Sequence, residues 1–177
     1  EILSADSRQC YRELHIGVAK PNPSELLSVK HHFIDSHSIH DNLTAAAFEQ
    51  YALQKSEDIF RKYDTLIVTG GTGLYLKAFT VGFDAMPPVS EETRDIVRTI
   101  YLTEGLAGIR EKLEKEDPIF SGSDDLKNPQ RMMRALEFMR TTGTSIRNFQ
   151  RSVIAERPFR IINIGIELPR LELYERI

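Results

Sequence analysis

The chain has 177 residues, of which 41% are hydrophobic and 28% charged, and its formal net charge is −3. This is an ordinary soluble composition, which argues against disorder, and no apolar run approaches the roughly 18 residues of a membrane-spanning helix. The single cysteine, Cys10, excludes an internal disulfide and a cysteine-based zinc site. We therefore expect a cytoplasmic protein without membrane contact. The slightly acidic charge balance does not favour a nucleic-acid partner, unless the positive charge is segregated on part of the surface.

The first part of the chain, residues 1–85, has the pattern of an α/β fold. We predict a strand at 1–5, a helix at 43–61 capped by Asp41 or Asn42, and a short strand at 65–69. The second strand is apolar throughout and bounded by glycines, which predicts a buried parallel strand. The glycine-rich segment 70–73 follows it and leads into a helix at 74–79.

Residues 86–150 show helical patterns and no convincing strand. Ser90 can cap one helix, and Asn128 with Pro129 begins another that ends at Gly143. A strand pattern returns at 159–168, and connection rules place it in the same sheet. The sequence therefore predicts an α/β core made of 1–85 and 151–177, with a parallel sheet flanked by helices and an all-helical insertion at 86–150.

Asp6 follows the first strand, where ligands of open α/β sheets bind. A carboxylate there can accept a proton from an attacking group, or it can simply cap the next turn. The glycines at 70–73 can open a helix that attracts an anion, or they can form a tight turn without a ligand. Both pairs of alternatives remain open on these residues alone.

Arg131 and Arg134 lie three residues apart and therefore share one face of the predicted helix. Arginines in this arrangement suit phosphate contacts, but they equally suit a solvated face with local ion pairs, for instance to Glu137. The adjacent His31 and His32 point to different faces of most elements, so we interpret them as structural rather than metal-binding.

The order of these motifs is more specific than any one of them. The chain resembles the tRNA dimethylallyltransferase (tRNA isopentenyltransferase) family, collinearly, in segments 4–11, 17–21, 31–35, 70–75, 128–137 and 168–177. The resemblance implies a P-loop NTPase-like parallel sheet with a helical insertion that grips the anticodon stem-loop of tRNA. It also implies transfer of a dimethylallyl group from dimethylallyl diphosphate to the exocyclic amine of the adenine beside the anticodon, with Mg²⁺ as cofactor and a monomeric enzyme.

The same resemblance implies roles for individual residues. Asp6 matches the general base and Arg170 an arginine that faces the diphosphate. The matches to tRNA-contacting positions are Asp6, Ser7, Arg8, Gln9, Thr72, Gln130, Arg131, Met132, Met133 and Arg134. No metal ligand is assigned within these residues.

Two departures from the family pattern bear on activity. The glycine-rich phosphate loop with its Lys and Thr is expected about one helix before Glu1, and the family continues beyond Ile177. A strand, loop and helix of that kind need roughly 30 residues, and this sequence does not contain them. Because the diphosphate and magnesium would lose most of their ligands without this loop, we expect this polypeptide alone to be inactive. Three alternatives stay open: an adenylate isopentenyltransferase acting on free nucleotides, a P-loop small-molecule kinase and a non-catalytic RNA-binding module.

Overall fold

The computed structural model describes residues 1–84, 86–149 and 154–175. The chain divides into two units, one made of Glu1–Gly82 with Ile154–Ile177 and the other of Phe83–Val153. Each unit has its own cluster of buried hydrophobic side chains. The two are therefore described separately.

The first unit contains a small parallel sheet with helices. Its central strand is β1 (Ile2–Ser4), which pairs on one side with β2 (His31–His32) and on the other with β3 (Ile67–Thr69). Parallel neighbours require crossover connections, and these contain α1 (Pro23–Ser28) and α2 (Ala45–Phe60). The predicted parallel sheet flanked by helices is confirmed in this coarse form.

The core of the first unit lies between the central strand and two helices. Leu3 of β1 is completely buried, and α2 packs against α3 (Gly73–Val81). Phe48 of α2 and Tyr75 of α3 stack with ring centroids 4.2 Å apart, and Phe33 meets both rings edge-on. Because aromatic rings bury large apolar areas, this group fixes α3 and the turn before it against the sheet.

The second unit is helical in every element that the structure describes. Its elements are α4 (Glu91–Glu116), α5 (Pro118–Ser121) and α6 (Pro129–Thr142), with 3₁₀ turns at Asp124–Lys127 and Ile146–Phe149. Ser90 caps α4 and Asn128 caps α6 through hydrogen bonds of 3.2 Å each, and both caps were predicted. Gly143 ends α6 in the left-handed conformation, with φ of 68°.

The buried side chains of this unit come mainly from α4 and α6, the helices with the most extensive mutual contact. Leu136 and Phe138 of α6 and Ile109 of α4 are fully buried. Among the described residues, no helix is both long and apolar enough to cross a membrane.

Two local predictions about the first unit were wrong. Thr44 caps α2, by accepting from Ala47 N at 3.1 Å, rather than Asp41 or Asn42. The strand β3 is not buried, since Ile67 is 57% exposed and the strand lies at the edge of the described sheet. Its apolar composition indicated a strand correctly, but burial depends on neighbours that composition does not reveal.

The predicted strand at 159–168 is also absent. None of these residues pairs with the three described strands, and Ile162, Ile164 and Ile166 are 67%, 86% and 93% exposed. A β-branched pattern supplies propensity, whereas a strand exists only through hydrogen bonds to a neighbour. The helix predicted to follow is present as α7 (Arg170–Glu175).

The glycine turn 70–73 lies directly against the end of β1. A Cβ atom placed on Gly70 would lie 2.4 Å from the carbonyl carbon of Ala5 and 2.8 Å from the amide nitrogen of Asp6. Both are backbone atoms that cannot rotate away. Only glycine therefore lets the turn come this close to the strand end.

Substitution of Gly70 tests this contact, and Gly71 provides a matched control because a Cβ there meets no atom within 4 Å. We expect Gly70→Ala to lower the free energy of unfolding by about 1–3 kcal/mol, the usual cost of overpacking. Gly71→Ala should change it little. Urea unfolding of both variants measures the difference, and equal stability of the two would contradict the close approach.

Candidate functional site

The site is built around Asp6, two residues beyond the end of β1. Its Oδ1 accepts hydrogen bonds from the amides of Arg8 at 2.8 Å and Gln9 at 3.3 Å. The turn-capping interpretation is therefore confirmed. Among the described residues, however, Oδ2 has no hydrogen-bond partner, so the half-buried carboxylate is oriented by one oxygen and keeps the other for a ligand.

Hydrogen bonds join this carboxylate's segment to the glycine turn. Ala5 N donates to Thr69 O at 2.6 Å, and Thr72 N donates to Ala5 O at 3.1 Å. The Thr72 hydroxyl accepts from Ser7 N at 2.9 Å and donates to Ser7 Oγ at 3.2 Å. The structure thus brings Thr72 next to Asp6 and Ser7, although Ser7 and Thr72 lie 65 positions apart in sequence.

The glycine turn also leads directly into α3, which begins at Gly73. Thr72 is the residue before the helix, and its side chain is used by Ser7 rather than by the helix amides. In the described part of the chain, the amides of Gly73 and Leu74 donate to no protein acceptor. Unpaired amides at a helix N-terminus attract anions, so the start of α3 can attract an anion close to the turn that carries the Asp6 carboxylate.

Gln9 and Arg8 differ in how accessible they are. Both polar atoms of the Gln9 side chain are engaged within the protein: Oε1 accepts from Ser4 Oγ at 2.8 Å, and Nε2 donates to Ala19 O at 2.9 Å. The Arg8 side chain is exposed and makes no hydrogen bond to another described residue. Arg8 is therefore open to a ligand, while Gln9 braces the loop.

Two other titratable groups near Asp6 are neutral at physiological pH. Burial raises the pKa of the Cys10 thiol to about 11 and that of the Tyr75 phenol to about 12. A protonated, buried thiol is a poor nucleophile. Cys10 is therefore not a candidate nucleophile at this turn.

Arg170 is the first residue of α7, and its guanidinium lies over the ring of Tyr174, 5.7 Å from the centroid. Within the described ranges, no hydrogen bond or ion pair joins it to Asp6 or to the glycine turn. Its predicted role toward a diphosphate stays a prediction.

The predicted RNA-contacting residues of α6 lie in the second unit. Gln130 and Arg131 are exposed, and Arg131 forms an ion pair with Asp125, which also pairs with Arg147. Arg134 lies 3.6 Å from Glu137, the local ion pair that the sequence suggested.

The two methionines between these arginines differ in exposure, since Met132 is buried and Met133 is only partly buried. Met132 is 2% exposed within the core, and Met133 packs against that core. Of the polar residues of α6 that were predicted to contact RNA, Gln130 and Arg131 are exposed and Arg134 is partly exposed.

The carboxylate Asp125, which sequence reasoning missed, lies in the turn before α6 and neutralises part of its positive charge. Its position six residues before Arg131 gave no periodic signal. A pairing that spans a turn is not readable from helical spacing.

A magnesium site is not formed by the described residues. No group of three or more His, Cys, Asp or Glu side chains is arranged among them to hold a metal ion. Magnesium is usually held by one or two carboxylates together with substrate phosphates, and Asp6 is a single carboxylate.

His31 and His32 lie in β2 and have structural partners. His31 Nδ1 lies 2.9 Å from Val29 O, and His32 Nε2 lies 2.5 Å from Glu1 Oε2. The hydrogen bond from His32 lowers the pKa of the Glu1 carboxyl. These contacts agree with the structural interpretation of the pair.

Known proteins resemble the chain over nearly its full length. It is 44% identical to the tRNA dimethylallyltransferase of Cytophaga hutchinsonii and 42% identical to tRNA dimethylallyltransferase 1 of Phocaeicola vulgatus, with 99% of the chain aligned in each case. The chain spans only 58% and 59% of the length of these curated relatives.

A solved structure agrees with this similarity. The tRNA delta(2)-isopentenylpyrophosphate transferase from Staphylococcus epidermidis superimposes with a TM-score of 0.54 at 27% identity, covering 99% of this chain and 58% of that one. The family model described as IPP transferase matches residues 9–177. On this match and on the identity to its relatives, the chain belongs to the IPP transferase family.

Proposed function

We propose that the full-length protein transfers a dimethylallyl group from dimethylallyl diphosphate to the exocyclic amine of the adenine beside the anticodon in tRNA. The observation that carries the proposal is the Asp6 carboxylate, held by Oδ1 with Oδ2 unpaired, beside the amide end of α3. The names of the relatives support the same substrate and reaction. The proposed reaction needs both a proton acceptor and an anion-binding end.

The chemistry follows from these two parts. The adenine amine attacks the first carbon of the dimethylallyl group, a C–N bond forms, and the C–O bond to the diphosphate breaks with its electron pair leaving on the diphosphate. An exocyclic aromatic amine is a weak nucleophile, so Asp6 Oδ2 takes its proton as the bond forms. The adenine must leave its stack to reach Oδ2.

Recognition of the RNA is assigned to two surfaces. Ser7, Arg8 and Thr72 contact the nucleotides next to the target base, while Gln130, Arg131, Met133 and Arg134 contact the anticodon stem-loop. Met132 receives no direct contact, because its side chain fills the core and supports α6. Charge-assisted bonds from guanidinium groups to phosphate are short and strong.

The amides of Gly73 and Leu74 are assigned a part of the diphosphate contacts, beside those of the phosphate loop that the family resemblance implies. Arg170 is assigned as a further cation that offsets charge on the leaving group. We further propose that the sheet is of the P-loop NTPase type and that Mg²⁺ accompanies the diphosphate, as the family resemblance implies. The same resemblance supports a monomer in the cytoplasm.

The alternative activities have less support. The free nucleotide that an adenylate isopentenyltransferase modifies has no stem to bind, whereas α6 presents an arginine pair that suits RNA phosphates. A small-molecule kinase does not act on an amine of tRNA and needs no general base to deprotonate one. The relatives described above are named as tRNA dimethylallyltransferases. A non-catalytic RNA-binding module would need no general base, so its function would not depend on the Asp6 carboxylate.

The first test is Asp6→Asn in the full-length protein. The amide keeps an oxygen for the amides of Arg8 and Gln9 but cannot accept the proton, so we expect alkylation of an anticodon stem-loop to slow by about 10²–10⁴-fold with RNA affinity nearly unchanged. Single-turnover assays and RNA titrations measure both.

Asp64→Asn is the control, because Asp64 is an exposed carboxylate of the same unit outside this turn. A wild-type rate in Asp6→Asn would contradict the assignment of the base. Phosphate transfer from ATP by the wild-type protein, without alkylation, would favour the kinase.

A second test concerns Arg134. We expect Arg134→Ala to weaken RNA binding and to reduce the slope of log affinity against log salt by about 1, as loss of one phosphate contact does. Arg94→Ala is a matched control, since Arg94 also forms an i,i+3 ion pair on a helix of the second unit. Equal salt slopes in wild type and Arg134→Ala would contradict the contact.

A further inference from the structure

The loop that carries Asp6 is held by a largely shielded ammonium group outside the proposed machinery. Lys20 Nζ donates to the carbonyl of Tyr11 at 2.7 Å and to Asp35 Oδ1 at 2.5 Å. The Lys20 side chain is only 12% exposed. One lysine therefore ties together the segment after Asp6 and the segment after β2.

Two further hydrogen bonds join Gln9 to the segments that contain Lys20 and Asp35. Asp35 N donates to Gln9 O at 3.1 Å, and Gln9 Nε2 donates to Ala19 O at 2.9 Å. Gln9 is also one of the two residues whose amides hold Asp6 Oδ1. Hydrogen bonds thus connect the Asp35 segment to the carboxylate through Gln9.

The backbone at this place is unusual. In the described part of the chain, the non-glycine residues with positive φ are Ala19 at 45°, Phe33 at 63° and Asp35 at 48°. Such conformations persist only where surrounding contacts determine them, and they concentrate at functional sites. Two of the three residues are held directly: Ala19 by the Gln9 side chain and Asp35 by Lys20.

We propose that Lys20 is a positioning residue for the Asp6 base, acting through its bonds to Tyr11 and Asp35 rather than by contact with either substrate. The inference rests on the proposed function and deepens it. Lys20 restrains the two loops so that Asp6 Oδ2 keeps its direction when RNA binds. The Lys20 side chain is 12% exposed and that of Asp35 46%, so solvent reaches this ion pair mainly from the carboxylate side.

Lys20→Met in the full-length protein tests the inference, because methionine keeps much of the aliphatic stem and removes the charge. We expect the single-turnover rate constant for alkylation at saturating dimethylallyl diphosphate to fall about 10- to 100-fold, as misplacement of a reacting group does. The product amplitude and the KM for the diphosphate substrate should stay near wild type.

Lys55→Met is the matched control, since Lys55 also pairs with an aspartate in the first unit, at 3.7 Å and with more exposure. Asp35→Asn is a milder second variant, because asparagine tolerates positive φ and retains the backbone bond to Gln9. It should slow the same rate constant in the same direction.

The outcomes separate the possible roles of Lys20. A lower product amplitude with an unchanged rate constant would show a role in folding alone, and a higher KM with an unchanged saturated rate would show direct contact with the diphosphate. Either result would overturn the inference. Absence of product from the wild-type protein would instead contradict the proposed function.

Discussion

The packing of Gly70 against the backbone of Ala5 is the constraint on which the site depends. It lets Thr69 and Thr72 bond to the two sides of Ala5 and places the Thr72 hydroxyl beside Ser7. These hydrogen bonds place the start of α3 and the Asp6 carboxylate at the same end of the sheet. The proposed base and the start of α3 can be neighbours because Gly70 has no side chain.

The position of Asp6 also explains how two interpretations of one residue can both hold. Its Oδ1 caps the following turn, so the residue has the structural role that its sequence context predicts. The same bonds fix the direction of Oδ2, which is the requirement for a general base. Capping therefore supports the proposed chemistry rather than competing with it, and Lys20 extends this support to the surrounding loops.

Local chemistry made some features predictable from sequence. The caps at Ser90 and Asn128, the end of α6 at Gly143 and the turn at Asp6 depend on residues a few positions apart. Features set by distant partners were not predictable in this way. The segment 159–168 has strand composition without a pairing partner among the described strands, and the bond between Ser7 and Thr72 spans 65 positions. The ion pair of Arg134 with Glu137 was predicted, but that of Arg131 with Asp125 was not.

The central claim is most directly tested by a crystal structure of the full-length protein with an anticodon stem-loop and an unreactive analogue of dimethylallyl diphosphate. The account predicts that Asp6 Oδ2 lies about 2.6–3.2 Å from the exocyclic nitrogen of the target adenine, with the analogue's phosphates at the amide end of α3. A target adenine bound away from Asp6, or an Oδ2 atom turned into a protein hydrogen bond, would contradict it.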